Sequence, residues 1–197
     1  MKKHPEITEQ TRANLLQAFW SLYETKPLDQ ITVKEIATKA GYNRGTFYEY
    51  FTDRYDCLHQ IEALALPTLE ELPPIPRGTE QSIELFQSFI TLYQDRFAYY
   101  DRLLGDQGDP SFQRKLIDSI KTSITSRTNQ TQTINSQELD LMLEFILSGM
   151  IGILRYYFHQ NPQGSPAEVM ALVYRFMGGE WIEKLSKTLM VPQANDG

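Results

Sequence analysis

Apolar residues recur at spacings of three and four along most of this chain, which is the pattern of amphipathic helices. In the first such segment, residues 8–25, Leu15, Phe19 and Tyr23 fall on one face. The same spacing, interrupted by turn signals, predicts helices over about 33–40, 44–51, 53–72, 79–100, 112–126, 137–159 and 166–188, with a short helix or turn over 101–108. No segment shows sustained strand-like alternation. We therefore expect an all-α protein of about nine helices.

Residues 31–51 carry the clearest helix start and stop signals. Thr32 and Glu35 have the spacing of a capping box, in which each side chain accepts a hydrogen bond from the other residue's backbone N–H. Gly41 can adopt the left-handed conformation that closes a helix, and Asn43 is a candidate N-cap for the next one. Two short helices joined by a glycine-containing turn are typical of a DNA-binding helix-turn-helix.

Prolines indicate the larger organisation of the chain. Pro67 should kink or interrupt the segment in which it lies, and a run of prolines follows Leu72. We expect a helix-turn-helix DNA-binding domain in residues 1–52, a connecting helix over about 53–72, and a helical ligand-binding and dimerisation domain in residues 73–197.

The charge distribution favours the first part of the chain as the part that meets nucleic acid. The formal net charge is −6, but residues 1–60 carry eight basic and eight acidic side chains, so the acidic excess lies in residues 61–197. An acidic surface repels phosphate. Because the first part is neutral rather than strongly basic, we expect only a modest set of phosphate contacts.

Composition gives no indication of a membrane span or a disulfide. Cys57 is the single cysteine, which suits a reducing cytosol, and we expect it to be a buried small hydrophobe. The most apolar stretch contains three charged side chains, Asp140, Glu144 and Arg155, so we expect no membrane contact. The N-terminus has no apolar segment of a secretory signal, and we expect a cytoplasmic protein.

The spacing of reactive side chains does not predict an enzyme. His4, His59 and His159 are scattered along the chain and lack metal-ligand spacing. No nucleophile lies at a recognisable spacing from a base. We expect no catalytic residue, no metal and no cofactor.

The motifs together resemble a known family. The stretch T-R-A-N-L-L-Q-A-F-W-S-L-Y, followed by I-T-V-K-E-I-A-T-K-A-G-Y-N-R-G-T-F-Y-E-Y-F, is similar over residues 8–65 to the DNA-binding domain of TetR-family transcriptional regulators. The stretch Y-Y-D-R-L-L-G-D-Q-G-D-P-S-F resembles the subgroup of the dihydroxyacetone-kinase operon activator. The resemblance implies an all-helical homodimer that binds a pseudo-palindromic operator, usually represses, and is controlled by an effector in the C-terminal domain.

The resemblance also implies which residues contact DNA. Positions that match phosphate contacts in the family are Thr32, Thr46, Tyr48, Tyr50 and Arg54, and positions that match base contacts are Lys34, Tyr42, Asn43 and Arg44. Arg44 is the strongest candidate for reading sequence, because a guanidinium can donate to guanine O6 and N7 together, worth about 1–3 kcal/mol of discrimination. Family members often have a smaller residue at position 44 and a lysine at position 54.

Candidates for the other two sites come from the second half of the chain. Aromatic residues that could line an effector pocket between helices are Phe86, Phe89, Tyr93, Phe97, Tyr100, Phe112, Phe145 and Tyr156. In the family the last two long helices form the dimer interface, and the candidates there are Gly149, Met150, Gly152, Ile153, Tyr157, Val169, Val173, Phe176, Met177 and Trp181. Core packing is the alternative role for most of these side chains.

One alternative function stays open at this point. The acidic balance also suits a regulator-like interaction protein or co-activator that acts through a protein partner rather than DNA. The expected partners of the leading function are double-stranded operator DNA, a second copy of the chain and a small-molecule effector. The operator sequence, the regulated genes and the effector are not encoded in any recognisable motif.

Overall fold

The computed structural model describes residues 5–72, 79–128 and 136–177. Within these ranges the chain is helical and contains no strand, so the expected all-α class is confirmed. Packing divides the chain into two compact units, Met1–Ala65 and Leu66–Gly197.

The described part of the first unit contains four α-helices and one short 3-10 turn. They are α1 (Pro5–Tyr23), the turn Leu28–Gln30, α2 (Val33–Lys39), α3 (Arg44–Tyr48) and α4 (Arg54–Ala65). Helix α1 packs on α2 and α4, and α2 packs on α3. The core is aromatic: Phe19 stacks on Tyr23 with 5.6 Å between ring centroids, and Phe47 lies 5.5 Å from Phe51. The inward face of α3 is therefore fixed by packing.

Two predicted helix ends in this unit were wrong. Helix α3 ends at Tyr48 rather than residue 51, because the N–H groups of Glu49 and Tyr50 bond to carbonyls three residues back and tighten the last turn. Helix α4 ends at Ala65 rather than residue 72, and this is the interruption expected from Pro67, since proline disfavours helical geometry in the residue before it. By packing, α4 belongs to the first unit; the predicted division into domains at residues 52 and 72 stays a prediction.

The second unit contains five described helices. They are α5 (Thr79–Asp95), α6 (Phe97–Leu103), α7 (Phe112–Thr128), α8 (Ser136–Gln160) and α9 (Pro166–Met177). The segment predicted as one helix over 79–100 is divided at Arg96, whose guanidinium is ion-paired with Glu71. Beyond Met177 the predicted course of the last helix lies outside the described residues.

Helix α8 is the central element of this unit and packs on α5, α6, α7 and α9. The ring of Phe158, on α8, stacks 5.9 Å from Tyr93 of α5, which lies 5.0 Å from Tyr100 of α6. The ammonium group of Lys121, on α7, pairs with carboxylates of α8, at 3.0 Å from Asp140. Four helices are thus tied to one another through α8.

The composition of α8 also meets a membrane criterion. In the described part of the chain, Leu139–Gln160 is the one helix long and apolar enough to cross a bilayer by length and composition alone, and 39% of it is buried. Core helices of soluble proteins pass the same test. Here α8 buries one face against four neighbouring helices and leaves another face exposed.

Candidate nucleic-acid interface

The start of α2 is held by the predicted capping box. The N–H of Glu35 donates to Thr32 Oγ1 at 3.2 Å, and the N–H of Thr32 donates to Glu35 Oε2 at 3.0 Å. Lys26, after the end of α1, adds an ion pair to Glu35 Oε1 at 2.7 Å. The Lys26 ammonium and then the Thr32 groups lower the pKa of Glu35 to about 2. The charged carboxylate therefore joins α1 to α2.

The turn between α2 and α3 has the geometry that positions the second helix. Gly41 has a φ of 80°, in the left-handed region that favours glycine. The N–H of Tyr42 donates to the carbonyl of Ala37 at 2.8 Å, and the N–H of Gly41 donates to that of Thr38 at 3.1 Å. This pair of bonds is the Schellman motif. The predicted turn is confirmed in its geometry.

Helix α3 presents different side chains to the core and to solvent. Asn43 Oδ1 accepts the N–H of Thr46 at 2.9 Å and so caps the helix. Phe47 is fully buried, whereas Arg44 and Tyr48 are exposed, and Thr46 is half-buried. The helix contains no acidic residue. Its outer face therefore carries one cation and two hydroxyl groups where DNA phosphates and bases could be met.

Arg44 and Tyr48 are adjacent on that outer face. Arg44 Nη2 donates to the Tyr48 hydroxyl at 3.3 Å, and the guanidinium carbon lies 5.9 Å from the centroid of the tyrosine ring. The residues are four apart, so one turn of helix brings them together. The contact orients the guanidinium before any ligand is bound.

Two predicted DNA contacts are directed elsewhere in this geometry. Arg54 is half-buried, and its Nη1 donates to the carbonyl of Ile31 at 3.0 Å, with the guanidinium 5.2 Å from the ring of Tyr55. Arg54 therefore ties the start of α4 to Ile31, two positions before α2 begins, instead of facing solvent. The Thr32 hydroxyl is exposed but donates to Glu35 Oε2 at 2.9 Å. Both side chains support the helix-turn-helix from within the unit.

The remaining predicted contacts differ in exposure. Lys34 is exposed, and Tyr42 and Tyr50 are half-buried. Asn14, on α1, donates to the Tyr42 hydroxyl at 3.1 Å. The sequence reasoning missed Asn14 and Lys26 as positioning residues, because their partners lie 28 and nine positions away along the chain. The sequence offered one indication of their role: both are polar residues close to the apolar residues of the first helix.

The second unit has a small apolar cavity lined by residues of α5, α6, α7 and α8. Three of the predicted pocket residues line it, Phe89, Tyr93 and Tyr100. Its volume of about 30 Å³ has room for about two water molecules. Three of the eight predicted residues thus share one cavity, and its role as an effector pocket stays a prediction.

The other predicted pocket residues lie apart from the cavity. Phe97 and Phe112 join the aromatic core, next to Phe158 and Tyr100 respectively. Phe145 and Tyr156 are 66% and 74% exposed, because they fall on the face of α8 that no described helix covers. The side chain of Phe86 is outside the described ones. Among the described residues, no group of three His, Cys, Asp or Glu side chains could hold a metal ion.

The predicted dimer residues are divided in the same way. Gly149 and Gly152 are exposed, and Ile153 and Tyr157 are half-buried. Met150, Val169 and Val173 are buried inside the protomer, and their assignment to a dimer interface stays a prediction. Met150 lines the cavity, and α9, which carries both valines, packs on α5. The side chains of Phe176, Met177 and Trp181 lie outside the described ones.

A helix-turn-helix unit followed by a second helical unit is the architecture of a DNA-binding transcriptional regulator. Family models agree. Residues 15–61 match "Bacterial regulatory proteins, tetR family" and residues 80–179 match "Transcriptional regulator C-terminal region". The chain belongs to the TetR family of DNA-binding transcriptional regulators. No curated protein sequence matches it.

Solved structures share the fold at low sequence identity. The dihydroxyacetone kinase operon activator DhaS is 14% identical, with a TM-score of 0.59 and coverage of 92% of this chain and 98% of that one. NalD, the secondary repressor of the MexAB-OprM multidrug efflux pump in Pseudomonas aeruginosa, is 15% identical, with a TM-score of 0.57 and coverage of 86% and 95%. SmeT in complex with triclosan is 17% identical, with a TM-score of 0.58 and coverage of 95% and 98%.

Proposed function

We propose that the protein binds a pseudo-palindromic operator as a homodimer, represses transcription from it, and is released by a small molecule that binds the second unit. The observation that carries the proposal is the two-sided α3, with Phe47 in the core and Arg44 and Tyr48 exposed. A two-fold dimer suits such a helix, because two copies can enter successive major grooves about 34–36 Å apart.

Within the proposed complex, the exposed groups have two kinds of role. Arg44 donates to a guanine edge in the major groove, and Lys34 with the free amide hydrogens of Asn43 contacts neighbouring bases. The hydroxyls of Thr46, Tyr48 and Tyr50 bond to phosphate and fix the register. Tyr42, held by Asn14, adds a hydroxyl at the edge of the turn.

Binding to DNA is tested first by locating bound sites across the genome and then by fluorescence anisotropy with one such site. We expect Arg44→Ala to lose about 1–3 kcal/mol of discrimination against a changed guanine. Arg114→Ala, which removes an exposed arginine of α7, is the matched control and should leave both affinity and discrimination unchanged. Specific binding that survives Arg44→Ala unaltered would refute this role. Absence of specific binding, together with a stable protein partner in a pull-down, would favour the partner-based function.

The proposed dimer forms through an exposed apolar face of α8. This α8 stripe consists of residues spaced three or four apart, which are Leu141, Phe145, Gly149, Gly152 and Tyr156. Leu141 and Phe145 are 63% and 66% exposed. Among the described residues, a Cβ added at either glycine would meet no atom within 4 Å beyond its own stretch of helix. Large exposed apolar side chains lie beside two glycines, where no side chain would keep a neighbouring helix away. This combination supports close approach of a second α8.

Sedimentation of a charged variant tests the interface. We expect Phe145→Glu to be monomeric and to bind a full operator with the affinity of a half-site. Leu64→Glu is the matched control, since Leu64 is 61% exposed on α4 of the first unit and should leave the dimer intact. A Phe145→Glu variant that remains dimeric would place the interface elsewhere.

Repression and release are tested in cells and with purified protein. Two of the structural relatives support this part of the proposal by their descriptions, since one is a repressor and one is bound to triclosan. We expect deletion of the gene to raise transcription from the bound promoter. A fall in transcription on deletion would show that the protein activates instead.

A further inference from the structure

One residue that lines the apolar cavity of the second unit carries a buried polar group for which the described residues provide no hydrogen-bond partner. Tyr93 is 3% exposed and lines the cavity, and its hydroxyl makes no hydrogen bond. A buried hydroxyl left unpaired is unfavourable, and such groups are rare in native proteins. The position of Tyr93 therefore indicates a hydrogen-bond partner that the described residues do not supply.

The rest of the lining restricts what that partner can be. None of the described residues that line the cavity is charged. Aliphatic side chains of α7 and α8 form most of the wall, among them Leu116, Ile120 and Ile151. An ion placed here would lose its hydration without gaining a counter-ion. The wall thus accepts apolar surface and excludes charge.

We propose that the effector of this protein is an uncharged, mainly apolar molecule with a hydrogen-bond acceptor, such as a carbonyl or ether oxygen, that accepts the Tyr93 hydroxyl. The proposal rests on the effector-controlled function given above and adds the chemical class of the effector. Burial raises the pKa of the Tyr93 phenol. The phenol therefore remains a neutral donor at physiological pH.

The cavity must enlarge to admit such a molecule, and two features of its wall would allow this. Phe89 and Leu92, both on α5, are half-buried, whereas the lining residues of α7 and α8 are buried. The α5 side is thus where the cavity comes nearest to solvent. Met150 lies in the opposite wall, and an unbranched thioether side chain adapts readily to a changed shape.

Two small probes of nearly equal shape test the proposal. Cyclopentanone carries the acceptor, and methylenecyclopentane replaces its oxygen by a CH₂ group. Binding is followed by NMR of labelled methyl groups of Met150, Ile120 and Ile151 in the full chain. We expect both probes to shift these resonances and cyclopentanone to bind about fivefold more tightly, the effect of one net hydrogen bond. Cyclopentanecarboxylate, which is charged, should not bind.

The variant Tyr93→Phe removes the hydroxyl and leaves the ring. We expect the preference for cyclopentanone to disappear, while Tyr100→Phe, a matched loss of a phenol on the same wall, keeps it. A ¹³Cζ label on Tyr93 gives a second measurement in the wild-type chain, because accepting the hydroxyl shifts this resonance. Equal affinity for the two probes, no binding of either, or an undiminished preference in Tyr93→Phe overturns the proposal. Operator binding by the wild type and Tyr93→Phe without a probe is measured separately, so a failure of DNA binding is distinguished from a wrong effector class.

Discussion

The two units differ in the sequence distance over which their functional groups are fixed. In the first unit, Thr32 binds Glu35 and Asn43 binds Thr46, each pair three positions apart. In the second unit, Gln94 donates to the carbonyl of Gly164, which is 70 positions away. Local caps thus define the surface proposed to meet DNA, whereas the cavity depends on helices brought together from far along the chain.

The largest expected effect tests whether helix caps or core packing contribute more to the stability of the first unit. Phe47 is fully buried, so Phe47→Ala should cost about 3–5 kcal/mol. Loss of the cap in Asn43→Ala should cost only about 1 kcal/mol. Hydrogen exchange of the α2 and α3 amides measures both free energies of opening. Leu64→Ala, at an exposed position, should change them by less than about 0.5 kcal/mol.

A ranking in which Asn43→Ala cost as much as Phe47→Ala would break this comparison. It would mean that the cap supplies stability and not only the place where α3 begins. The expected ranking instead means that the caps determine where the helices begin, whereas the aromatic core supplies most of the free energy of folding.

Two glycines of the second unit should respond to alanine with opposite signs. A Cβ at Gly164 would lie 2.8 Å from Cζ of the Tyr157 ring, so Gly164→Ala should destabilise the protein by about 1–3 kcal/mol. A Cβ at Gly149 would meet no described atom within 4 Å beyond its own stretch of helix. Gly149→Ala should therefore stabilise the monomer by about 0.5–1 kcal/mol through helix propensity.

Both glycine variants are measured by thermal unfolding in the Phe145→Glu background, and Gly149→Ala also by sedimentation of the otherwise unchanged chain. We expect Gly149→Ala to weaken self-association despite its better helix propensity. If it left association unchanged, the close approach of two α8 helices would be wrong. Unaltered stability of Gly164→Ala would show that the Tyr157 ring moves aside.

The same difference between the units explains what the sequence could predict. Capping boxes, a C-terminal glycine and proline positions act within a few residues, so the all-α class and the Gly41 turn followed from pattern alone. Burial of a given face depends on which helix covers it. Apolar character alone therefore did not distinguish Phe145, which is exposed, from Met150 and Val169, which are core residues.

Arg54 illustrates a further limit of prediction. Its charge and position resemble a phosphate contact, but its guanidinium bonds to the Ile31 carbonyl, 23 positions away. That bond requires the packing of α4 against the rest of the first unit, which no local pattern expresses.

The two units should also differ in the pH range over which they lose stability: the first unit at acid pH and the second at alkaline pH. Lys26 and Thr32 lower the pKa of Glu35 to about 2, so its contribution is present above its unfolded pKa and is lost as pH falls towards 2. In the second unit, Glu168 accepts the Tyr157 hydroxyl and raises the pKa of that phenol. That contribution is present below the phenol's unfolded pKa, near 10, and is lost as pH rises through the folded value.

Unfolding curves between pH 2 and 5 and above pH 10 test this difference. In Glu35→Gln the free energy of unfolding should fall less steeply towards acid pH and should keep its dependence at alkaline pH. In Tyr157→Phe the alkaline dependence should be reduced and the acid one kept. Asp56 and Glu71 also have lowered pKa values, and burial raises those of Tyr93 and Tyr100, so each variant removes only part of its pH dependence. An acid dependence that is identical in Glu35→Gln would contradict the proposed link between α1 and α2.

The smallest expected effect concerns Cys57, which lies in the first unit on the buried face of α4. It is fully buried, and burial, followed by the charges of Asp56 and Asp53, raises the pKa of its thiol. The thiolate, which is the reactive form, should therefore be scarce. We expect iodoacetamide to leave Cys57 unmodified in the native protein and to alkylate it in guanidinium. Rapid labelling of the native protein would mean that α4 separates from α1 often enough to expose the thiol. The packing of α4 on α1, which positions the helix-turn-helix, would then open more readily than the helix caps.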